Sequence, residues 1–149
     1  MDLPWLDILN ATANLSIALG LFITMWQIKL QVQQAVTDFE DDLDREYREI
    51  SLALPIEALL GETLSPEAHA KALEQFHRYF DLTNQVIFLR QTGRLSDLRW
   101  ETWLDEIRVN LDKPAFKAAW DEIRRRAPGE FILLRRLEST AFDTDPRDW

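Results

Sequence analysis

The distribution of charged residues divides the chain near residue 28. Between Asp7 and Lys29 lie twenty-one consecutive residues, 8–28, without a charged side chain. At about 1.5 Å of rise per residue, a helix of this length reaches roughly 31 Å, close to the hydrocarbon thickness of a bilayer. Trp5 and Trp26 lie near its two ends, where indole rings favour the headgroup region. The pattern predicts a transmembrane anchor over residues 1–30 with these two tryptophans at the interfaces.

The basic residues around this stretch predict its orientation. No Lys or Arg precedes it, whereas Lys29 follows at once and Arg45 and Arg48 come later. Because Lys and Arg are enriched on the cytoplasmic side of membrane helices, we expect the N-terminus outside and the rest of the chain in the cytoplasm.

The stretch is also more polar than an isolated membrane span usually is, which leaves open a buried helix of a soluble protein. Some of its small residues recur every four positions and therefore share one helix face. They are Thr12, Ser16, Gly20 and Thr24. Small residues at this spacing allow two helices to approach closely in lipid, so we expect the anchor to pack against another transmembrane helix, unless the alignment is accidental.

A second pattern runs through the anchor and beyond it, with spacings that alternate between four and three. Its positions are Ala11, Leu15, Ala18, Phe22, Met25, Lys29, Val32, Val36, Phe39, Leu43, Glu46 and Ile50. The repeat predicts one continuous helix as far as residue 54, with a juxtamembrane acidic part at 31–54. Its central part, which we call the seam, comprises Phe22, Met25, Val32, Val36, Phe39 and Leu43. Two interpretations stay open: a parallel coiled-coil homo-oligomer, or a face that covers later helices of the same chain.

Helical patterns and capping residues continue after Pro55. Ser65 followed by Pro66 predicts the start of a helix that runs to Gly93. Ser96 or Asp97 can cap the next helix, Pro114 opens another, Pro128 and Gly129 stop it, and residues 130–138 form a last short helix. The fold class is therefore all-α: one long N-terminal helix followed by a small helical bundle. We expect a cytoplasmic helical domain at 55–138 and a polar tail at 139–149 that is loose unless docked.

The net charge and the amino-acid composition limit the classes of molecule that this chain can bind. The formal charge of -9 disfavours binding to nucleic acid, and the absence of cysteine excludes disulfides and thiolate metal sites. An acidic face formed by Asp38, Asp41, Asp42 and Asp44 is either solvated or a docking surface for a basic partner. A basic cluster comprises Arg124, Arg125, Arg126, Arg135 and Arg136. It either complements the negative end of a helix or contacts anionic headgroups or the acidic face of a neighbouring subunit.

Catalytic signatures are absent from the sequence. His77, Glu74 and Asp81 share one helix face and could hold a metal ion, but one histidine leaves most ligand positions unfilled. An ordinary set of ion pairs is the preferred interpretation. We expect no catalytic residue, no metal site and no cofactor.

Five stretches of the chain carry a resemblance: residues 26–30, 39–50, 79–90, 93–96 and 100–103. They resemble a family of uncharacterised bacterial proteins with one N-terminal transmembrane helix and a helical domain of unknown function. The resemblance covers roughly residues 10–137 and implies architecture and a bacterial inner-membrane location, without any activity.

The leading hypothesis is a non-enzymatic, membrane-anchored interaction protein: an accessory subunit or scaffold that contacts lipid and another transmembrane helix, either its own copy or a partner protein. One alternative is a self-oligomerising membrane sensor or effector. The other is a soluble helical enzyme that binds a metal through Glu74, His77 and Asp81.

Overall fold

A computed structural model describes the backbone of residues 4–149 and the side chains of that range except 4, 6–11, 13 and 33. The described chain contains six α-helices and no strand, which confirms the all-α fold class. The helices are α1 (Pro4–Ala53), α2 (Ile56–Leu59), α3 (Pro66–Gln91), α4 (Asp97–Asp112), α5 (Pro114–Arg126) and α6 (Ile132–Ser139). A 3-10 helix, Pro146–Asp148, ends the chain.

Local capping explains where α3 and α4 begin. The Ser65 hydroxyl accepts a hydrogen bond from the amide of Ala68 at 3.2 Å, and Pro66 occupies the first helical position. The Ser96 hydroxyl accepts from the amide of Arg99 at 3.4 Å. Gly93 follows α3 with a φ of 70°, the left-handed conformation that glycine adopts without steric cost. These predicted boundaries are confirmed.

The chain divides into two units, Met1–Phe39 and Glu40–Trp149, and the division falls inside α1. In the first unit, every described side chain from Asn14 to Asp38 is exposed. The second unit is compact and begins fifteen residues before Pro55, where the sequence placed the start of the domain. The reason is that Leu43, Ile50 and Leu54 are buried within the second unit.

An aromatic core holds the second unit together. Phe76, Tyr79 and Phe80 of α3 meet Phe116 and Trp120 of α5, with ring centroids 4.9 to 5.0 Å apart in the closest pairs. Such edge-on and tilted ring contacts add to the free energy gained by burying the rings. The core therefore lies between α3 and α5, and the other helices pack around it.

Tyr47 attaches the last part of α1 to this core. Its ring packs edge-on against Trp103 of α4 at 5.3 Å and lies 6.3 Å from the ring of Tyr79. Trp103 is buried, as are Trp100 and Ile107 on the same face of α4. The final turns of α1 thus belong structurally to the bundle.

The C-terminal tail is docked. Pro146 is buried, and the 3-10 helix packs against α3. Residues 139–149 are therefore part of the second unit.

Candidate functional site

The first candidate is the apolar part of α1. Among the described residues, α1 provides the one helix that is long and apolar enough to cross a membrane, by length and composition. The segment that meets this criterion is Asn14–Ala53, with a mean hydropathy of 1.4 in its most apolar window and no buried residue in that window. Trp5 and Trp26 are exposed. The described apolar side chains of this window are therefore exposed.

The small-residue face of α1 has its hydroxyl groups turned onto the helix backbone. Ser16 Oγ donates a hydrogen bond to the carbonyl of Thr12, and Thr24 Oγ1 donates to the carbonyl of Gly20, both at 2.9 Å. A hydroxyl bonded in this way needs no other partner in an apolar environment. On the face formed by Thr12, Ser16, Gly20 and Thr24, the hydroxyls of Ser16 and Thr24 therefore have their hydrogen bonds within α1.

The seam splits between the two units. Phe22, Met25, Val32 and Val36 are exposed in the first unit, and Phe39 is half-buried. Leu43, by contrast, is buried in the second unit, as is Ile50 further along the same pattern. The side chain of Ala11, the first position of the pattern, lies outside the described residues. Leu43 and Ile50 thus pack within the second unit, while the described positions of the pattern from Leu15 to Val36 are exposed.

The acidic face is partly used within the chain. The carboxylate of Asp44 pairs with Arg99 of α4, and that of Asp42 pairs with Arg45 at 2.6 Å. Glu40, which belongs to the same acidic stretch, accepts a hydrogen bond from the Ser96 hydroxyl at 2.9 Å. Asp38 and Asp41 are exposed. Glu40 and Asp44 therefore hold the last part of α1 against the start of α4.

Arg99 is the centre of that junction. Its hydrogen bond to Asp44 raises the pKa of the guanidinium against the opposing effect of burial. Its Nε atom lies 3.7 Å from Glu40 Oε2 and has no hydrogen-bond partner among the described residues. A groove of about 290 Å³ runs beside this junction, between α1 and α4. In it, burial raises the pKa of the Glu106 carboxyl, and the nearby charge of Asp44 raises it further.

The basic cluster is largely satisfied by contacts within the second unit. Arg124 pairs with Asp121 at 2.5 Å and with Glu138 at 2.8 Å, while Arg126 pairs with Glu122 at 2.8 Å. Arg135 donates hydrogen bonds to three backbone carbonyls, and the guanidinium of Arg136 lies 4.6 Å from the ring centre of Trp149. Arg125 is exposed. Four of the five arginines thus have a role in the fold.

Both histidines of the chain lie beside carboxylates. His69 Nε2 is 2.9 Å from Glu122 Oε2, and His77 Nε2 is 3.0 Å from Glu130 Oε2. The hydrogen bonds to Glu122 from His69 and Arg126 hold the pKa of that carboxyl below its ordinary value. A shallow groove of about 730 Å³ between α3 and α5 includes His77, Glu130 and Glu74.

This arrangement bears on the metal hypothesis. Among the described residues there is no group of three metal-ligating side chains, so Glu74 and Asp81 do not join His77 in such a group. The described side-chain contact of His77 is the one with Glu130, rather than one with Glu74 or Asp81.

Arg90 of α3 was not identified from the sequence as a buried charged residue with hydrogen-bond partners. Arg90 donates to Asp145 and Asp97 and to the carbonyl of Leu95. Arg90 lies three and four residues after the buried Ile87 and Val86, on the inner face of α3, and a charged residue on such a face indicates a buried partner. Its partner lay in the tail, where no pattern indicated a contact.

Comparisons of this chain with protein-family models, with curated proteins and with solved structures found no match. The resemblance to a family of bacterial membrane proteins therefore stays an expectation.

Proposed function

We infer that this chain is a membrane-anchored, non-enzymatic interaction protein, with the N-terminal part of α1 in the bilayer and the helical second unit in the cytoplasm. The observation that carries the inference is the exposure of the apolar part of α1. A buried helix of a soluble protein would bring its apolar side chains into the core. Here Leu19, Leu21 and Ile23 are all exposed, and a lipid environment would remove the free-energy cost of exposing them to water.

The length of the uncharged stretch also supports placing it in the bilayer. The uncharged residues 8–28 reach roughly 31 Å as a helix, and α1 is continuous from Pro4 to Ala53. Lys29 follows directly after the uncharged stretch, which favours the cytoplasmic side for the second unit.

The anchor also favours a helical partner in the membrane. The face formed by Thr12, Ser16, Gly20 and Thr24 carries no bulky side chain, and two of its hydroxyls bond to the backbone of α1 itself. Helices in lipid associate through close packing at such faces, because lipid supplies no hydrophobic driving force between them. An accessory subunit or scaffold of a membrane complex would use this face.

Membrane fractionation tests the anchor. We expect the full chain to sediment with membranes and to resist alkaline extraction, and the variant Leu21→Arg to lose this resistance, because a charge at the middle of a span costs about 2.5 to 3.5 kcal/mol on insertion scales. Leu98→Arg is the matched control, since Leu98 is also exposed but lies on α4. Full recovery of the unaltered chain in the soluble fraction would contradict the proposal.

A second candidate is a self-oligomerising membrane sensor or effector. It is favoured by the exposure of Val32 and Val36, which lie on the seam just beyond the uncharged stretch. The chain contains no cysteine, so single cysteines can be placed at either position without removing others. Oxidation in intact membranes should then trap dimers at Val32 and Val36 but not at Gln31 or Ala35, which lie off the seam. Equal trapping at all four positions would argue for random collision.

A further inference from the structure

The corner where α1 ends and α2 follows has two interleaved sets of apolar side chains. Ile50, Leu54 and Ala58 point into the second unit and are buried. Leu52, Ile56 and Leu60 are exposed by 81%, 60% and 70%. A single exposed leucine is common on protein surfaces, but three large aliphatic side chains between positions 52 and 60 of one corner are not explained by the fold. We call Leu52, Ile56 and Leu60 the outer corner.

The charges around the outer corner are mostly negative. Glu49, Glu57 and Glu62 are exposed, and none of them forms an ion pair within the described part of the chain. Arg48, one helical turn before Leu52, is the last Lys or Arg in the sequence before Lys71. The corner is therefore an apolar surface with three acidic side chains and one basic side chain beside it.

One lysine from another helix lies near the corner. Lys113 Cγ is 4.0 Å from the position that a Cβ atom on Gly61 would take. Its ammonium group, however, donates to Asn110 Oδ1 at 2.8 Å and lies 5.7 Å from the ring centre of Phe116. Lys113 is thus directed to α4 and α5 and forms no ion pair with the three glutamates.

We propose that the outer corner binds a basic amphipathic helix of a partner protein, one that presents leucine-like side chains flanked by Lys or Arg. The apolar side chains of such a helix would cover Leu52, Ile56 and Leu60, and its cations would neutralise Glu49, Glu57 and Glu62. A second copy of this chain is a poorer occupant, because it would bring two acidic corners together. An anionic lipid surface would be repelled for the same reason.

The test uses the full chain in neutral detergent and, as a probe, a fluorescent amphipathic peptide of leucine and lysine. Fluorescence anisotropy should show saturable binding that weakens with salt, and a peptide of the same pattern with glutamate in place of lysine should not bind. The paired variants Ile56→Ser with Leu60→Ser, and Glu57→Gln with Glu62→Gln, should each weaken binding by about tenfold or more. All four side chains are exposed, so circular dichroism should show unchanged helicity and melting temperature.

The matched control is Leu98→Ser with Glu101→Gln, an exposed apolar and acidic pair on α4. It should bind the lysine peptide as the unaltered chain does. Equal affinity of all variants, or equal binding of the glutamate peptide, would overturn the proposal. So would a loss of self-association or of binding to anionic vesicles caused by the corner variants, since either would assign the surface to another occupant.

The proposal rests on the inferred role in protein interaction and not on anchoring. The two can therefore fail separately: membrane fractionation reports on the anchor alone, and peptide binding in detergent reports on the corner alone.

Discussion

Arg90 of α3 holds Asp145 of the C-terminal tail through two hydrogen bonds, from Nε at 2.9 Å and from Nη2 at 2.5 Å. The guanidinium is buried and also donates to Asp97 at 2.6 Å. Burial alone would lower the pKa of Arg90, but the hydrogen bonds to the two carboxylates raise it. A charge in this position is tolerated only because it is paired, so the tail is required to complete the bundle.

Removing the charge of Asp145 should destabilise the second unit. In Asp145→Asn the buried guanidinium keeps Asp97 but loses its bidentate partner, and we expect a loss of about 1 to 3 kcal/mol in the free energy of unfolding. Urea denaturation followed by circular dichroism measures it. Asp143→Asn is the control. Asp143 lies in the same tail, its side chain is 79% exposed, and its carboxylate is 3.8 Å from Arg108 Nη2. If the two variants unfold at the same urea concentration, the tail is not held as described.

The Arg90 to Asp145 pair should also appear in the pH dependence of stability. The hydrogen bonds from Arg90 hold the pKa of Asp145 well below its ordinary value. A carboxyl with a depressed pKa stabilises the fold fully above its unfolded-state pKa, about 3.9, and the contribution is lost as pH falls through the folded-state pKa. The difference in stability between the unaltered chain and Asp145→Asn should be constant from pH 7 to about pH 5 and shrink below about pH 4. A difference that persists unchanged at pH 3 would contradict this origin.

The effect of Glu106 on the pH dependence of stability should be opposite to that of Asp145. Burial raises the pKa of its carboxyl, and the charge of Asp44 raises it further. A raised pKa means that the contribution to stability is complete below the unfolded-state pKa, about 4.3, and is lost as pH rises through the folded-state value. The ionised form is therefore unfavourable at pH 7. Since Glu106 is only half-buried, water screens the effect, and Glu106→Gln should stabilise the unit by about 0.5 kcal/mol.

The measurement for Glu106→Gln is the melting temperature at pH 7 and at pH 4, where the gain should disappear. Asp105→Asn removes the same charge from an exposed neighbouring position of α4 and controls for the general effect of lowering the net charge. An equal gain from both variants would assign the effect to net charge rather than to the groove.

The starts of the helices could be predicted because their causes are local. Ser65, Ser96 and Pro114 each act within one turn of their own position, so the residues that decide the boundary are adjacent in the sequence. The pairing of Arg90 with Asp145 has no such local cause. The two residues are 55 positions apart, and the 26 acidic residues of the chain offered many partners for one buried arginine.

The division of α1 could not be predicted for a different reason. Val36 and Leu43 occupy equivalent positions of one repeating pattern, yet Val36 is exposed and Leu43 is buried in the second unit. Periodicity identifies the face that needs cover but not the element that supplies it. The partner of Asp44 in the acidic face could not be predicted for the same reason, because its pairing with Arg99 depends on where α4 packs.

The inclusion of the end of α1 in the bundle can be tested by two substitutions two residues apart. Ile50 is fully buried and Leu52 is among the most exposed residues, although both are aliphatic and both lie in α1. Ile50→Ala should lower the free energy of unfolding by about 2 to 5 kcal/mol, since it removes buried methyl groups and leaves a cavity. Leu52→Ala should change stability by no more than about 0.5 kcal/mol, because alanine suits a helix and the lost side chain faces outward. Equal, small effects in urea denaturation would mean that the bundle starts at Pro55 and that α1 does not pack on Trp103.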